Sequence, residues 1–414
     1  MSFLLFLREN ARWLAAGALL SFLSSFGQTF FISIFAGEIR AEFGLSHGQW
    51  GAIYSIGTGA SAALMLWAGG LADRFRVMVL GPAVVVLLAL ACTAMALNPS
   101  ALLLPFVIFA LRFTGQGMAS HVSLVAMARW FVATRGRALA VATLGFQAGE
   151  ATMPLSFVAL KRLFDWHSLW LFAAVFVLAT IPVLVWLLKE ERTPQAMAEI
   201  NSSPGMGGRH WTRAEALRHP LVWTLLPGLA GFSAFNTAFW FQQVHFAAVK
   251  GWEHLSLVAL FPLGTGAFIL STAAFGWALD RFGSPRLMPL YLLPVAAGFT
   301  FLGLAPSVPV AGLGIVLIGV AGGGQATLPS ACWAEFYGTR NIGSIKAAVA
   351  SALVLGSALG PGISGFLIDA GIAMPTQLLG YAVWFIAASA LMVRPIARAR
   401  AELGATAQVD VVGT

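Results

Sequence analysis

The sequence predicts an all-α membrane protein, with twelve transmembrane helices arranged as two pseudo-symmetric six-helix bundles. Three observations point there. Of 414 residues, 59% are hydrophobic and 10% charged, where a soluble domain is about a quarter charged. Apolar runs long enough to cross a bilayer recur along the whole chain. The second half of the chain repeats features of the first. With a mean hydropathy of +0.83, the composition excludes a soluble enzyme, a nucleic-acid-binding protein and a disulfide-rich secreted module. The net charge of +8 then reads as a basic rim on one face of a membrane protein.

A spanning helix needs about 20 mostly apolar residues. Predicted helices 1 to 12 cover 13–36, 47–71, 77–97, 101–127, 137–160, 168–188, 220–248, 255–279, 286–305, 308–332, 342–368 and 376–393. The first run is too long for a signal-peptide core and lacks a clear cleavage site, so it reads as a retained helix. Glycine and proline inside the runs are tolerated in membrane helices. A β-barrel is excluded, because the runs are long and lack alternation. The polar stretch 189–219 is a linker, with Ser202-Ser203-Pro204-Gly205 inside it and a capping box, Thr212 to Glu215, near its end. It divides the chain into an N-terminal bundle (1–188) and a C-terminal bundle with a short tail (220–414).

An even helix count puts both termini on one face. With that face cytoplasmic, it collects about eighteen Lys and Arg residues and the opposite face about four. The expected location is therefore a plasma membrane, in a bacterium the inner one, with both termini cytoplasmic. Cys92 and Cys332 sit in apolar runs without metal-ligand spacing, and the seven histidines are scattered. No GxxxxGK[ST] motif is present. The expectation is no metal, no cofactor, no ATP-driven step and no enzymatic activity.

The repeat is specific. Gly69-Gly-Leu-Ala-Asp73-Arg74-Phe-Arg76 follows predicted helix 2, and Gly276-Trp-Ala-Leu-Asp280-Arg281-Phe-Gly283 follows predicted helix 8, half a chain later. The doubled GxxxDR resembles the signature of the major facilitator superfamily. Leu111-Arg112-Phe-Thr-Gly115-Gln116-Gly117 resembles a second signature, and Gly145-Phe-Gln-Ala-Gly149 a third. Three further stretches, Phe35 to Ser46, Ala214 to Trp223 and Tyr337 to Gly343, are similar to the monocarboxylate porter and oxalate–formate antiporter branch. The resemblance implies a secondary transporter. It also implies a proton-coupling role for the helix-4 arginine, Arg112. Lys346, about one turn into helix 11, is expected to snorkel to the cytoplasmic surface; the resemblance offers the alternative of an anion-attracting charge at the inner mouth of the cavity.

Arg112 and Glu150 lie deep in consecutive helices with opposite signs. A central Arg costs roughly 2.5–3.5 kcal/mol on insertion scales, so the two are expected to pair, with Glu150 as the proton-coupling group. At about 100° per residue, Gln147 joins Glu150 on one stripe of helix 5. Arg112, Gln116 and Ser123 share a stripe of helix 4, and Ser21, Ser24, Ser25 and Gln28 share one of helix 1. Ser233, Asn236, Trp240 and Gln243 share a stripe of helix 7. Polar stripes should face protein or water, as cavity lining or as interhelical glue. The expected substrate-binding set is Gln28, Tyr54, Arg112, Gln116, Gln147, Asn236, Trp240 and Gln325. Asp73 with Arg74, and Asp280 with Arg281, are expected gates, each carboxylate latching onto the other half when the cytoplasmic face is shut.

The sequence therefore reads as a monomeric secondary transporter working by alternating access in a lipid bilayer. It is expected to carry a small organic anion such as a carboxylate, with the proton as coupling ion. The competing readings are efflux of a hydrophobic drug-like compound and a non-transporting membrane receptor.

Overall fold

The structure, a computed structural model, describes residues 3–131, 134–190 and 204–412. The side chain of Asp73 lies outside what is described. Among the described residues twelve long helical rods follow one another: α1 (Phe3–Leu23), α2 (His47–Ala68), α3 (Val77–Ala96), α4 (Ala101–Trp130), α5 (Arg135–Leu160), α6 (Trp166–Leu188), α7 (Pro220–Phe241), α8 (His254–Phe282), α9 (Ser284–Leu304), α10 (Val308–Tyr337), α11 (Ile342–Asp369) and α12 (Met374–Val412). Among the described residues nine helices are long and apolar enough to cross a membrane, and the bent α1 makes a tenth. The other two, α5 and α7, carry Gln147, Glu150 and Asn236. Polarity there marks an inner lining, because a polar lipid face is expensive.

Several boundaries differ from the sequence reading. α12 runs on to Val412 and α10 to Tyr337, past the predicted ends at 393 and 332. The first rod starts at Phe3 and continues past its core as short helical pieces to Phe43, so residues 37–43 beyond predicted helix 1 are helical. It bends by 46° about Gln28, whose backbone is extended (φ −88°, ψ 154°). Ser24-Ser25 and Gly27 immediately precede the break, as expected of kinks at Gly/Ser pairs. In α4, residues Arg112–Ala119 form a π-helix, a form that recurs at functional sites.

The packing repeats with the chain. In the N-terminal half α1 packs on α5, α2 on α4 and α3 on α6; in the C-terminal half α7 packs on α11, α8 on α10 and α9 on α12. The halves meet along α2 with α11 and α5 with α8, which are again equivalents of each other. This relation is what two copies of one six-helix plan produce. The described residues at the end of the linker, 204–219, dock on the C-terminal half. Trp211 N–H donates to Tyr337 O (3.2 Å), Asn341 Nδ2 donates to Trp211 O (3.0 Å), and His219 Nδ1 lies 3.1 Å from Tyr337 Oη. The capping box at Thr212 and Glu215 forms as predicted and starts the short helix Arg213–Arg218.

Candidate functional site

A cavity of about 300 Å³ opens between α5 on one side and α7, α8 and α10 on the other. Gln147 and Glu150 face it from α5, Asn236 and Trp240 from α7, and Gln325 from α10. These five come from the expected substrate and coupling set. The helical period explains the grouping: 147 and 150, like 236 and 240, are one turn apart and share a face. Phe146, Phe232, Phe261 and Phe268 complete an aromatic wall. Sequence reasoning missed these rings, because phenylalanine is common throughout the chain and its position gives no sign of a cavity.

Several polar atoms here are unmatched. Gln147 Oε1 and Asn236 Oδ1 are buried without a hydrogen-bond partner. Glu150 has no hydrogen bond or ion pair among the described residues, and it is the one charged residue in the lining. Gln325 Oε1 accepts from Tyr291 Oη (2.8 Å), which is fully buried. Trp240 packs edge to face on Phe261 with ring centroids 4.4 Å apart.

Arg112 is elsewhere. It is buried in the N-terminal half, and its Nη1 donates to Gly27 O at 3.0 Å and, more weakly, to Thr29 Oγ1 at 3.4 Å. Its guanidinium lies 5.3 Å from the Tyr54 ring, whose hydroxyl shares a hydrogen bond with Thr29. The expected pair with Glu150 is not formed. The reason lies in the backbone: the break in the first rod frees the Gly27 carbonyl from its helical bond, and a bare carbonyl in a membrane interior needs a donor. Arg112 supplies it, while its Nε and Nη2 stay unbonded. Gly27 and Gly115 make this approach possible. A Cβ on Gly27 would come 2.1 Å from Leu111 O, and one on Gly115 2.6 Å from Gly27 Cα.

Gln28, Tyr54 and Arg112 are thus buried and lie outside the lining of this cavity, and Gln116 is exposed. Three of the stripe serines serve as glue, whereas Ser25 Oγ is buried without a partner. Ser21 and Ser123 bond each other at 2.8 Å between α1 and α4, and Ser233 Oγ donates to Leu353 O between α7 and α11. Lys346 is exposed at the start of α11.

The two halves are fastened at the distal face, opposite the one that carries the linker. Asp369, at the end of α11, accepts from Ser46 Oγ (2.6 Å), His47 N (3.1 Å) and Gly48 N (2.7 Å) at the start of α2. Gln243 Nε2 donates to Ser33 Oγ (2.7 Å), Ser33 Oγ donates to Trp240 O (2.7 Å), and Arg162 pairs with Glu253. A carboxylate at a helix N-terminus of the opposite half is the latch chemistry expected of Asp73 and Asp280. Here it appears at the other face, on a residue the sequence reading passed over. An Asp ending a helix opposes the dipole of that helix, and this was the available signal. Asp280 and Arg74 are exposed; Asp280 makes no hydrogen bond among the described residues, and Arg281 lies 5.9 Å from the Phe282 ring.

Solved structures with this architecture include a bacterial homologue of the human lysosomal transporter Spinster. In its inward-facing unoccupied form it is 16% identical, covering 95% of this chain and 97% of that one, with a TM-score of 0.65. A form of the nucleoside transporter NupG is 14% identical over 94% of this chain and 99% of its own, with a TM-score of 0.68. Among characterised sequences, the multidrug resistance protein B homolog of Mycobacterium tuberculosis is 33% identical over 104 residues. That match spans 25% of this chain and only 19% of the relative's length. The family model of the Major Facilitator Superfamily matches residues 17–361. Twelve rods, a half-chain repeat in sequence and packing, and that match together make this chain a member of the Major Facilitator Superfamily.

Proposed function

We propose that the protein is a proton-coupled secondary transporter. A mainly apolar organic solute enters the cavity between α5 and α7, α8 and α10, and Glu150 takes up and releases the coupling proton. The observation that carries this reading is Glu150 itself, an unpaired carboxylate inside a cavity between the two halves. Intramembrane ionisable residues without a structural partner are costly and mark ion and substrate pathways. Fastening at the distal face supports alternating access by rocking of one bundle on the other. With the positive-inside orientation, this conformation is inward-facing and the linker and termini are cytoplasmic. The short match to a multidrug resistance protein agrees with an apolar solute.

The organic-anion reading has one supporting observation, the two unbonded nitrogens of the Arg112 side chain. It would need Arg112 to leave Gly27 and reach the cavity. A proteoliposome assay with an internal pH-sensitive dye tests the main reading. Addition of a transported solute should move protons in the wild type. Glu150→Gln should abolish proton movement while solute exchange continues. Proton flux at the wild-type rate in Glu150→Gln would sink the coupling role.

A further inference from the structure

The charge that faces the cavity has one sign. Glu150 presents a carboxylate with no partner among the described residues, and beside it stand the amide groups of Gln147 and Asn236, whose oxygens are buried without a donor. No Lys, Arg or His stands in the lining. The buried guanidinium of Arg112 is turned to Gly27 O and the Tyr54 ring. Only Gln325 has an acceptor already used, on Tyr291. Buried acceptors without donors are costly until a donor arrives. Around them stand ring surfaces, with Trp240 and Phe261 packed edge to face at 4.4 Å. Aromatic faces attract cations, tryptophan most strongly.

We propose that this cavity binds an organic ammonium ion with an apolar, ring-sized body. The N–H groups go to the Glu150 carboxylate and to the Gln147 and Asn236 amide oxygens, which side-chain rotation turns toward the ligand, and the body lies against the rings. This assignment rests on the reading of the cavity as the transport site, and it names the substrate class of that site. An anion of the same shape would meet a like charge at Glu150, with no Lys, Arg or His in the lining to balance it. A neutral alcohol could donate one hydrogen bond but would forgo the ion pair.

The test uses the purified full chain and three probes of one shape: 2-phenylethylammonium, 2-phenylethanol and 3-phenylpropionate. Binding is followed by calorimetry near neutral pH. The ammonium should bind at least about tenfold tighter than the carboxylate in the wild type. Glu150→Gln should remove that preference, whereas Glu150→Asp, which keeps the charge, should retain it. Ala326→Trp, which places a ring in the cavity, should weaken the ammonium at least about tenfold. Equal or tighter binding of the carboxylate, no binding of the ammonium at millimolar concentration, or an ammonium affinity within about twofold of wild type in Glu150→Gln overturns the proposal. The two readings fail separately. Carboxylate-selective binding that Ala326→Trp blocks overturns the ammonium class alone. Binding that Ala326→Trp leaves unchanged shows that the probes do not enter this cavity, and the transport-site reading falls with it.

Discussion

Gly27 and Gly115 approach so closely that neither can carry a side chain without displacing backbone, since the atoms in the way are Leu111 O and Gly27 Cα. Their contact also holds Arg112 against the Gly27 carbonyl. Gly27→Ala should therefore cost at least the roughly 1–3 kcal/mol typical of overpacking, read as a lower unfolding temperature of the purified protein. Arg112→Ala should destabilise more than Arg112→Gln, because Gln keeps a donor for Gly27 O. Arg112 and Glu150 make no contact, so their effects on stability should add. In a double-mutant cycle of Arg112→Gln and Glu150→Gln, the coupling should stay within about 0.5 kcal/mol. A coupling of several kcal/mol, the size expected of a broken buried pair, would show that the two do meet.

At the scale of elements, the distal fastening depends on one helix start. Three donors of Ser46, His47 and Gly48 converge on Asp369, joining α2 to α11 across the two halves. Hydrogen bonds to a charged group are worth roughly 1.5–3 kcal/mol, enough to shift a two-state population about tenfold or more. Asp369→Asn should raise the labelling rate of a cysteine placed at Ala326 by an impermeant maleimide applied from the distal face. An unchanged rate would remove Asp369 from the gate. A second element-scale contact is the linker docked on the α10–α11 turn through Trp211, His219 and Tyr337. Burial holds the His219 imidazole below its ordinary pKa, so the docked form favours the neutral ring. Docking should be intact above about pH 6.5 and weaken as the pH falls through and below that range. Hydrogen exchange over residues 204–212, corrected for its intrinsic pH dependence, should accelerate on acidification. His219→Gln should flatten that response.

For the whole molecule, the helix pairs of one half recur in the other, and the seams α2–α11 and α5–α8 are equivalents of each other. On the proposed alternating-access mechanism, rocking of one bundle on the other would exchange like surfaces, and the fastened distal face would have its counterpart at the linker face. The orientation in the membrane is testable with single cysteines in a background free of Cys92 and Cys332. Gly205 is a poor probe position, since a Cβ there would meet Phe336 O at 2.4 Å. Ala214 and Leu163 are exposed on opposite faces. An impermeant reagent outside intact cells should label Leu163→Cys and miss Ala214→Cys; the reverse pattern would invert the topology.

Composition, run length and the repeated Gly69–Asp73 and Gly276–Asp280 motifs determine the all-helical, two-bundle architecture, because lipid leaves the backbone few ways to satisfy its own hydrogen bonds. The one-turn spacing of Gln147 with Glu150, and of Asn236 with Trp240, places each pair on one face, so these four lining residues were legible from period alone. Depth along a helix is legible too, but azimuth between helices is not. Arg112 and Glu150 lie on consecutive helices, yet one faces the broken first rod and the other the cavity. Only the tertiary structure decided that, through the break at Gln28, the π-turn of α4 and the Gly27–Gly115 contact, which together give Arg112 a carbonyl in place of a carboxylate. The aromatic wall and the Asp369 latch escaped for the same reason, since which residues of distant helices meet depends on how the bundles pack.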